Sequence, residues 1–381
     1  MPEVSVIAYF ADDPTRTYQL VQWLDVLEIL HAQHPVAVVV RDPDSAAVLE
    51  GQTSLPVLPA PTLTDLSELY STLDAKVVLY CNNSILNFQS LIDSRRLHVH
   101  VNHGESDKQS MASNNAKAYD RVFVAGEAAV QRHRAALMEF DTTRLVRVGR
   151  PQLDLRPPPL LHASNRRTVL YAPTWEGDAD YNDYTSVTTL GVAIVQAILA
   201  VPEVRLAYKP HPKVVTSQTS AVRAAHLAIL DLVEEAARNE PEAGHESITL
   251  GDILGVIPDC DAMVTDVSSV GLDWLYLRNE KPLFITDPQG DAERLRRDVA
   301  VSRCADVVSP DHLAQLTALI TSRLEHDEHQ LARVAMRHHY FDDLRVGEST
   351  VRFLEAISEL VSLRDQLLGV EPSRDGAAIT A

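Results

Sequence analysis

The sequence predicts an α/β protein in which two parallel β-sheets are each covered by helices on both faces. Short β-rich runs alternate with longer helical patterns throughout the chain, which is typical of doubly wound sheets. Uninterrupted apolar runs such as Val36–Val40 suit strands that are buried on both faces. The chain has 381 residues, and at roughly 150 residues per domain this length accommodates two such domains.

The first series of elements occupies the N-terminal part of the chain. Its strands are predicted at 4–10, 36–40, 77–80, 97–101, 121–125 and 145–148. A helix is predicted near 15–31, because apolar side chains recur there at the spacing of one helical face: Leu20, Trp23, Leu24, Leu27 and Leu30. The segment 151–167 contains three consecutive prolines and lacks periodicity, so we interpret it as an interdomain linker.

The second series follows the linker. Its strands are predicted at 169–172, 204–208, 262–265, 282–285 and 306–308, and its helices at 187–199, 267–277 and 313–324. A last long helix over 349–367 places Val351, Leu354, Ile357 and Val361 on one side. The predicted organisation is a first domain over 1–155, a second over 165–345, a closing helix over 346–368 and a disordered tail over 369–381.

The composition excludes several classes of protein. Hydrophobic residues make up 45% of the chain and charged residues 23%, which is the balance of a globular protein with a full core. The formal net charge is −19, from 53 acidic and 34 basic residues. Such a surface repels phosphate backbones and anionic membranes, so no nucleic-acid partner is predicted.

The cysteines and the chain start indicate a location inside the cell. Cys81, Cys260 and Cys304 lie far apart, show no metal-ligand spacing and fit buried, reduced thiols. No stretch approaches the ~20 apolar residues of a membrane span. The N-terminal residues carry no basic region followed by an apolar core, so no signal peptide is predicted and the expected location is the cytoplasm.

Polar clusters at the ends of predicted strands are the candidate sites, because doubly wound sheets bind ligands at the carboxyl ends of their strands. The first cluster follows the strand at 97–101, where Gly104 permits a sharp turn after His103. An imidazole there can take a proton from a hydroxyl nucleophile. The alternative is a turn histidine with solvated neighbours. His100 and His103 point to opposite faces and no further ligand set completes them, so no metal site is predicted.

The second and third clusters end strands of the second series. Thr174 and Trp175 stand in a loop over 171–178 that offers a hydroxyl, an indole and two carboxylates, although Trp175 alone could simply plug the interdomain hinge. In the segment 208–212, two prolines flank His211 and limit its freedom. A fixed imidazole next to Lys209 suits a phosphate or a leaving group, and the alternative is a charged surface loop.

The fourth cluster, over 264–274, joins a strand to a helix. Ser268 or Ser269 is a good N-cap, and the backbone N–H groups beyond it can cradle a diphosphate. The alternative is simple helix capping, which requires one serine rather than two. No glycine-rich nucleotide fingerprint or Walker loop accompanies the cluster, which disfavours hydride transfer and ATP hydrolysis.

Taken in order, these clusters resemble the CDP-glycerol glycerophosphotransferase family, which contains the polymerases and primases of teichoic acid synthesis. The resemblance covers about 99–360. A weaker echo lies over 341–349. The matching segments are His103-Gly104 with Lys108, then 171–175, 209–212, 265–269 with Asp273, and 281–283.

The resemblance implies a GT-B-like fold, with two Rossmann-like domains facing across a cleft and a C-terminal helix crossing back. It implies transfer of glycerol phosphate, or a related polyol phosphate, from a CDP-linked donor to a hydroxyl of a cell-wall or capsular polymer, releasing CMP. The implied acceptor is a polyol phosphate or a lipid-linked glycan, and the implied location includes the inner face of the cell membrane. No cofactor is required, with Mg²⁺ as an additional means of neutralising the diphosphate.

The resemblance also implies roles for single residues. His103 is the general base on the acceptor hydroxyl, and His211 holds or protonates the diphosphate. Ser268 and Ser269 anchor the same diphosphate at the helix N-terminus. Asp266 and Asp273 either order the loop or meet the hydroxyls of glycerol or ribose. The full set expected to bind substrate is Gly104, Lys108, Thr174, Trp175, Lys209, Asp266, Ser268, Ser269 and Asp273.

One segment departs from the family pattern. Glu105, Ser106 and Asp107 follow Gly104 where the family has small and apolar residues. Carboxylates beside an imidazole raise its pKa and repel an anionic acceptor, so a different polyol or acceptor is an open alternative. Two further alternatives are a GT-B glycosyltransferase with a nucleotide-sugar donor and a non-catalytic member that binds a nucleotide or a partner protein.

Overall fold

The computed structural model describes residues 3–108, 111–177 and 183–370. The chain divides into two compact units. The first unit holds residues 1–104, 112–155 and 344–381, and the second holds 105–111 and 156–343. Residues 371–381 of the disordered tail predicted over 369–381 lie outside the described residues, as does Asp178 of the second cluster.

The first unit contains a parallel seven-stranded sheet in the order β3-β2-β1-β4-β5-β6-β7. Its strands are β1 (Val6–Phe10), β2 (Val36–Val40), β3 (Val57–Pro59), β4 (Val77–Tyr80), β5 (Leu97–His100), β6 (Arg121–Val124) and β7 (Leu145–Arg147). Its first four helices are α1 (Tyr18–His31), α2 (Pro43–Glu50), α3 (Leu63–Thr72) and α4 (Glu127–Ala136). All five residues of β1 and of β2 are buried, which explains their uninterrupted apolar sequences.

The second unit contains a parallel six-stranded sheet in the order β10-β9-β8-β11-β12-β13. Its strands are β8 (Arg167–Ala172), β9 (Val204–Tyr208), β10 (Glu246–Ser247), β11 (Ala262–Thr265), β12 (Leu283–Thr286) and β13 (Asp306–Val308). Its helices are α5 (Gly191–Leu199), α6 (Pro212–Val215), α7 (Ser220–Asn239), α8 (Ser269–Leu277), α9 (Ala292–Asp298), α10 (Leu316–Glu325) and α11 (Gln330–Phe341). The alternation of strands and helices predicted from the sequence is confirmed in both units.

The last helix, α12 (Glu348–Leu367), returns the chain to the first unit, as the resemblance implied. Phe353 and Ile357 lie in the same apolar core as β1 and α1, and the rings of Phe353 and Trp23 are 5.3 Å apart. The predicted apolar side was partly wrong, because Val351 is 53% exposed while Phe353 is fully buried. The Asp154 carboxylate accepts the amides of Gly347 at 2.7 Å and Thr350 at 2.6 Å, which caps the helix.

Close packing joins Gly149 to the start of α12. Gly149 has φ of +78°, and a Cβ there would lie 2.1 Å from Ser349 Oγ and 2.6 Å from Leu344 Cδ1. A side chain would therefore combine backbone strain with a steric overlap.

We expect Gly149→Ala to lower the free energy of unfolding by about 3 kcal/mol, because overpacking and a left-handed backbone each cost roughly 1–3 kcal/mol. Gly51→Ala is the matched control, since nothing lies within 4 Å of a Cβ there and φ is −82°. Urea unfolding of both variants checks this. Equal stability of the two variants would contradict the described packing.

Candidate functional site

The carboxyl edge of the second sheet carries an unusual row of polar groups. Four side-chain atoms there are buried and have no hydrogen-bond partner among the described residues: Ser247 Oγ, Glu176 Oε2, Ser268 Oγ and Asp287 Oδ2. They belong to β10 or to the segments that follow β8, β11 and β12. A buried polar atom without a partner costs about 1–3 kcal/mol, so several at one edge mark a surface built to meet a polar ligand.

Lys209 adds a cation to this edge, directly after β9. Its side chain is 4% exposed and donates no hydrogen bond to any described residue. Burial lowers the pKa of the Lys209 ammonium, and the negative charge of Asp252 opposes that shift. A buried ammonium of this kind can gain a charge-assisted contact with an incoming anion.

Asp266 joins the strand ends of the second unit. Its carboxylate is fully buried and accepts the amides of Thr174 at 2.7 Å and Ser186 at 3.2 Å, and the Thr286 hydroxyl at 2.5 Å. Burial raises its pKa to about 6. Both carboxylate oxygens accept hydrogen bonds from the protein itself. Of the two roles predicted for Asp266, ordering the loop or binding a substrate hydroxyl, these contacts favour the first.

His211 is held in one orientation after β9. Its backbone amide donates to Pro173 O at 3.0 Å, and its ring Nδ1 accepts the Lys213 amide at 3.1 Å. Because Nδ1 accepts, the neutral ring carries its proton on Nε2. The imidazole therefore presents an N–H donor on its far side.

The second and third clusters of the sequence lie together. The Trp175 and His211 rings are 6.2 Å apart at an interplanar angle of 30°, and Lys213 Nζ lies 3.7 Å from the centre of the Trp175 ring. Trp175 thus packs beside the imidazole and a cation rather than in the apolar core alone. Thr174 is buried, and its carbonyl accepts the Thr185 hydroxyl at 2.8 Å.

The fourth cluster opens α8. Ser268 is the N-cap, but its side chain makes no capping hydrogen bond, and its Oγ is the unpartnered atom noted above. Simple capping therefore does not account for this serine. Ser269 is the first helical residue, and Asp273 is buried one turn further on. The helix N-terminus with two serines is a suitable place for an anion.

In the first unit, His103 follows β5 and is fixed by its neighbours. Asn102 has φ of +53°, and its Oδ1 accepts the His103 amide at 2.8 Å. The Trp23 indole of α1 donates to Asn102 O at 2.6 Å, and the Tyr18 ring stands edge-on to the His103 ring at 6.0 Å. These contacts fix the backbone on which the imidazole stands, while Gly104 follows at the boundary of the unit.

His100 has a different environment. It is buried and stacks on Tyr119 at 5.0 Å, and burial lowers its pKa to about 4. It is thus a core residue. Within residues 3–108, 111–177 and 183–370, no three His, Cys, Asp or Glu side chains are grouped so that they could hold a metal ion. Cys81, Cys260 and Cys304 are all buried, as predicted.

The acidic segment after Gly104 belongs to the second unit. Asp107 accepts the Tyr340 hydroxyl and, at 3.3 Å, the Val301 amide. Lys108 Nζ lies 5.9 Å from the centre of the Tyr184 ring. The sequence places Asp107 near the imidazole of His103, and the structure shows that the Asp107 carboxylate accepts hydrogen bonds from residues of its own unit that are distant in the sequence.

Three polar residues at or near this edge lie outside the four clusters predicted from the sequence: Ser247, Asp252 and Asp287. Asp287 follows β12 directly, so the rule that strand ends carry ligand-binding groups would have found it. Its carboxyl accepts backbone amides of the following turn, and burial raises its pKa. Ser247 ends a strand of two residues, which no sequence pattern indicates.

Two parallel doubly wound sheets, with polar groups at the carboxyl ends of the strands, define an α/β protein of the GT-B class. The model of the CDP-glycerol:poly(glycerophosphate) glycerophosphotransferase family matches residues 95–359. The chain belongs to this family. Among curated proteins, none matches it significantly in sequence.

Solved structures of several proteins share the fold. A variant of the wall teichoic acid polymerase TagF soaked with CDPG is similar with a TM-score of 0.60 and 12% identity, over 96% of this chain and 90% of the other. A glycosyltransferase from Rickettsia africae gives a TM-score of 0.54 and 12% identity, over 95% and 99% of the two chains. A UDP-GlcNAc 2-epimerase from Neisseria meningitidis bound to UDP-GlcNAc gives a TM-score of 0.57 and 10% identity, over 93% of this chain and 100% of the other. At these identities the likeness concerns the fold alone.

We expect Asp266→Ala to lower the free energy of unfolding by about 3–5 kcal/mol, because two amides and a hydroxyl lose their buried acceptor. Asp266→Asn should cost less than half of that, since an amide oxygen can accept from Thr174 and Ser186 while its NH₂ donates to Thr286. Urea unfolding at pH 7.5 compares the two variants.

The pH dependence gives an independent check. The folded-state pKa of Asp266 lies above the ordinary value of an aspartate, so the contribution of this group to stability falls as pH rises from about 4 through about 6. Asp266→Asn should remove this part of the pH dependence. If alanine and asparagine are equally tolerated, Asp266 does not hold the loops.

Proposed function

We propose that this protein transfers glycerol phosphate, or a related polyol phosphate, from a CDP-linked donor to a hydroxyl of a cell-wall or capsular polymer, with release of CMP. Membership of the glycerophosphotransferase family supports this proposal. The observation that carries it is the row of unpartnered polar groups at the carboxyl edge of the second sheet, which includes Ser268 and lies beside Lys209 and His211.

The donor diphosphate would be bound by α8 and Lys209. The amides at the start of α8 and the Ser268 hydroxyl supply hydrogen-bond donors, and the helix dipole favours a negative charge there. Lys209 supplies a buried positive charge at the end of β9. These groups neutralise a diphosphate without a cofactor, and Mg²⁺ would add to the same effect.

The two histidines would serve opposite ends of the reaction. The acceptor oxygen attacks the phosphorus of the transferred group and its proton passes to His103. The bond from this phosphorus to the bridging oxygen breaks, and CMP leaves with the electron pair. The Nε2–H of His211 would meet the charge that develops on this oxygen, consistent with the tautomer that its Lys213 contact selects.

The acceptor and the location rest on the family alone. We propose a polyol phosphate or a lipid-linked glycan as acceptor, at the cytoplasmic side of the cell membrane. In the part of the chain that the structure describes, every helix is too short or too polar to cross a membrane.

We expect CMP release from CDP-glycerol or another CDP-linked polyol in the presence of a polyol-phosphate acceptor. His103→Ala and His211→Ala should each lower kcat by about 10²–10⁴-fold, the usual contribution of general acid–base catalysis. His162→Ala is the control, since its side chain is 92% exposed. Release of a nucleoside diphosphate from a nucleotide sugar would instead identify a glycosyltransferase. Full activity of both histidine variants would refute the proposed roles.

Lys209 provides a prediction on pH. Burial lowers the folded-state pKa of Lys209, so its positive charge is lost at a lower pH than that of an exposed lysine. The KM for the donor should therefore rise on the alkaline side. Lys209→Arg should keep donor binding and abolish this rise, and Lys209→Met should raise KM at every pH. Steady-state assays from pH 6.5 to 10 decide this, and an unchanged KM in the methionine variant would exclude Lys209 from the site.

A further inference from the structure

We propose that Glu176 binds a hydroxyl group of the donor and so makes the enzyme selective for donors that carry that hydroxyl. The inference rests on the proposed function and extends it, because it assigns the part of the donor other than the diphosphate. Neither the family nor the sequence clusters assign a role to this side chain.

Glu176 stands on a backbone that is fixed by contacts of the two residues before it. Two residues earlier, the Thr174 amide is bound by the buried Asp266 carboxylate at 2.7 Å. Trp175 packs against His211, with the ring centres 6.2 Å apart. Gly177 follows with φ of +76°, a left-handed conformation that favours glycine. The carboxylate of Glu176 is thus held on the same loops as the imidazole proposed to act on the diphosphate.

One carboxylate oxygen fixes the orientation of the other. Oε1 accepts the Ser217 hydroxyl at 2.6 Å. Ser217 Oγ itself accepts the Thr219 amide at 3.1 Å, so its own hydrogen is directed to Glu176. Oε2 is buried and finds no partner in the part of the chain that the structure describes. The loop therefore holds one carboxylate oxygen that is bound and a second that has no partner among the described residues.

The chemistry of an ionised carboxylate restricts its partner. It can only accept hydrogen bonds, and a phosphate oxygen beside it would add a second negative charge and no donor. A hydroxyl can donate. The donor molecule carries hydroxyls on its polyol and on its ribose, and both share the chemistry that Glu176 requires. The diphosphate itself would be bound by Lys209, the two serines and the N-terminus of α8.

A site built around a buried acceptor rejects a ligand that lacks the matching donor, because the acceptor then stays unpaired. Hydrogen bonds to charged groups contribute roughly 1.5–3 kcal/mol, which corresponds to about 10- to 150-fold in affinity. Wild-type protein should thus bind CDP-glycerol at least 10-fold more tightly than a matched donor without the relevant hydroxyl. Glu176→Gln replaces one oxygen by a donor group and should abolish this difference.

The experiment measures binding and turnover separately. Calorimetric affinities are determined for CDP-glycerol, CDP-propanol and the 2′-deoxyribose form of CDP-glycerol, with wild type, Glu176→Gln and Ser217→Ala. Glu234→Gln is the matched control, because Glu234 is 73% exposed on α7. Thermal unfolding of each variant establishes that it is folded. CMP release is followed in parallel.

The outcomes distinguish the two proposals. Loss of discrimination against CDP-propanol in Glu176→Gln assigns the polyol hydroxyl, and loss against the deoxyribose donor assigns the ribose; either supports the inference. Ser217→Ala should weaken the discrimination, since Oε1 loses its partner. If Glu176→Gln discriminates as wild type does, the inference is overturned even when CMP is released. If donors bind selectively through Glu176 but no CMP forms, the proposed function fails and the inference stands. If no CDP-linked donor binds to wild type, both fail.

Discussion

The buried carboxylate of Asp266 connects three segments that are far apart in the sequence. It accepts from the loop after β8, from the segment before α5 and from the last residue of β12. Burying a charge is costly, and the three hydrogen bonds offset only part of that cost, because burial still raises the pKa of Asp266 to about 6. Since Ser268 follows Asp266 by two residues and Thr174 begins the loop of Trp175, the same interaction sets the positions of two candidate binding loops.

Around this satisfied carboxylate, the edge of the sheet leaves other polar atoms unsatisfied. Glu176 Oε2, Ser268 Oγ and Asp287 Oδ2 are buried without partners in the described residues, although hydrogen-bonding neighbours are abundant along the strands. Folded proteins pair nearly all such groups, so this pattern indicates stability given up in favour of ligand binding. The rigid support comes from Asp266 and the prolines beside His211, and the unsatisfied groups stand on that support.

Much of the fold could be predicted from local sequence patterns, and the failures have physical reasons. Runs such as Val36–Val40 are apolar because both faces are covered, so each strand of this kind is visible by itself. The strands β3 and β10 were missed, because they have only three and two residues, which is too short to show an apolar pattern. They form through hydrogen bonds to β2 and β9, respectively. The 20-residue helix α7 was also missed, since its buried face includes a histidine, His226, among apolar residues.

The positions of several candidate residues could be predicted from the sequence, whereas their roles stay predictions. The rule that strand ends bind ligands located His211, Lys209 and Ser268 correctly at the carboxyl edge of a sheet. Neighbouring residues of one motif nevertheless differ in their hydrogen bonds. The Asp266 carboxylate accepts hydrogen bonds from the protein itself, whereas Ser268 Oγ has no partner among the described residues. The difference depends on Thr286 and Ser186, which no local pattern links to the motif. Asp107 is a similar case, because its two hydrogen-bond partners lie about 200 residues further along the chain. These partners are Tyr340 and Val301.

The return of α12 to the first unit has a consequence for how the protein is made. Five buried residues of α12 complete a core whose other buried members precede residue 150, and Asp154 holds the start of the helix; the five are Phe353, Ala356, Ile357, Leu360 and Val361. A ribosome therefore finishes the whole second unit before it supplies the last piece of the first. Cutting the gene at the proline-rich segment would produce an N-terminal half with an open apolar face, so the two halves are separable only if the closing helix is supplied with the first.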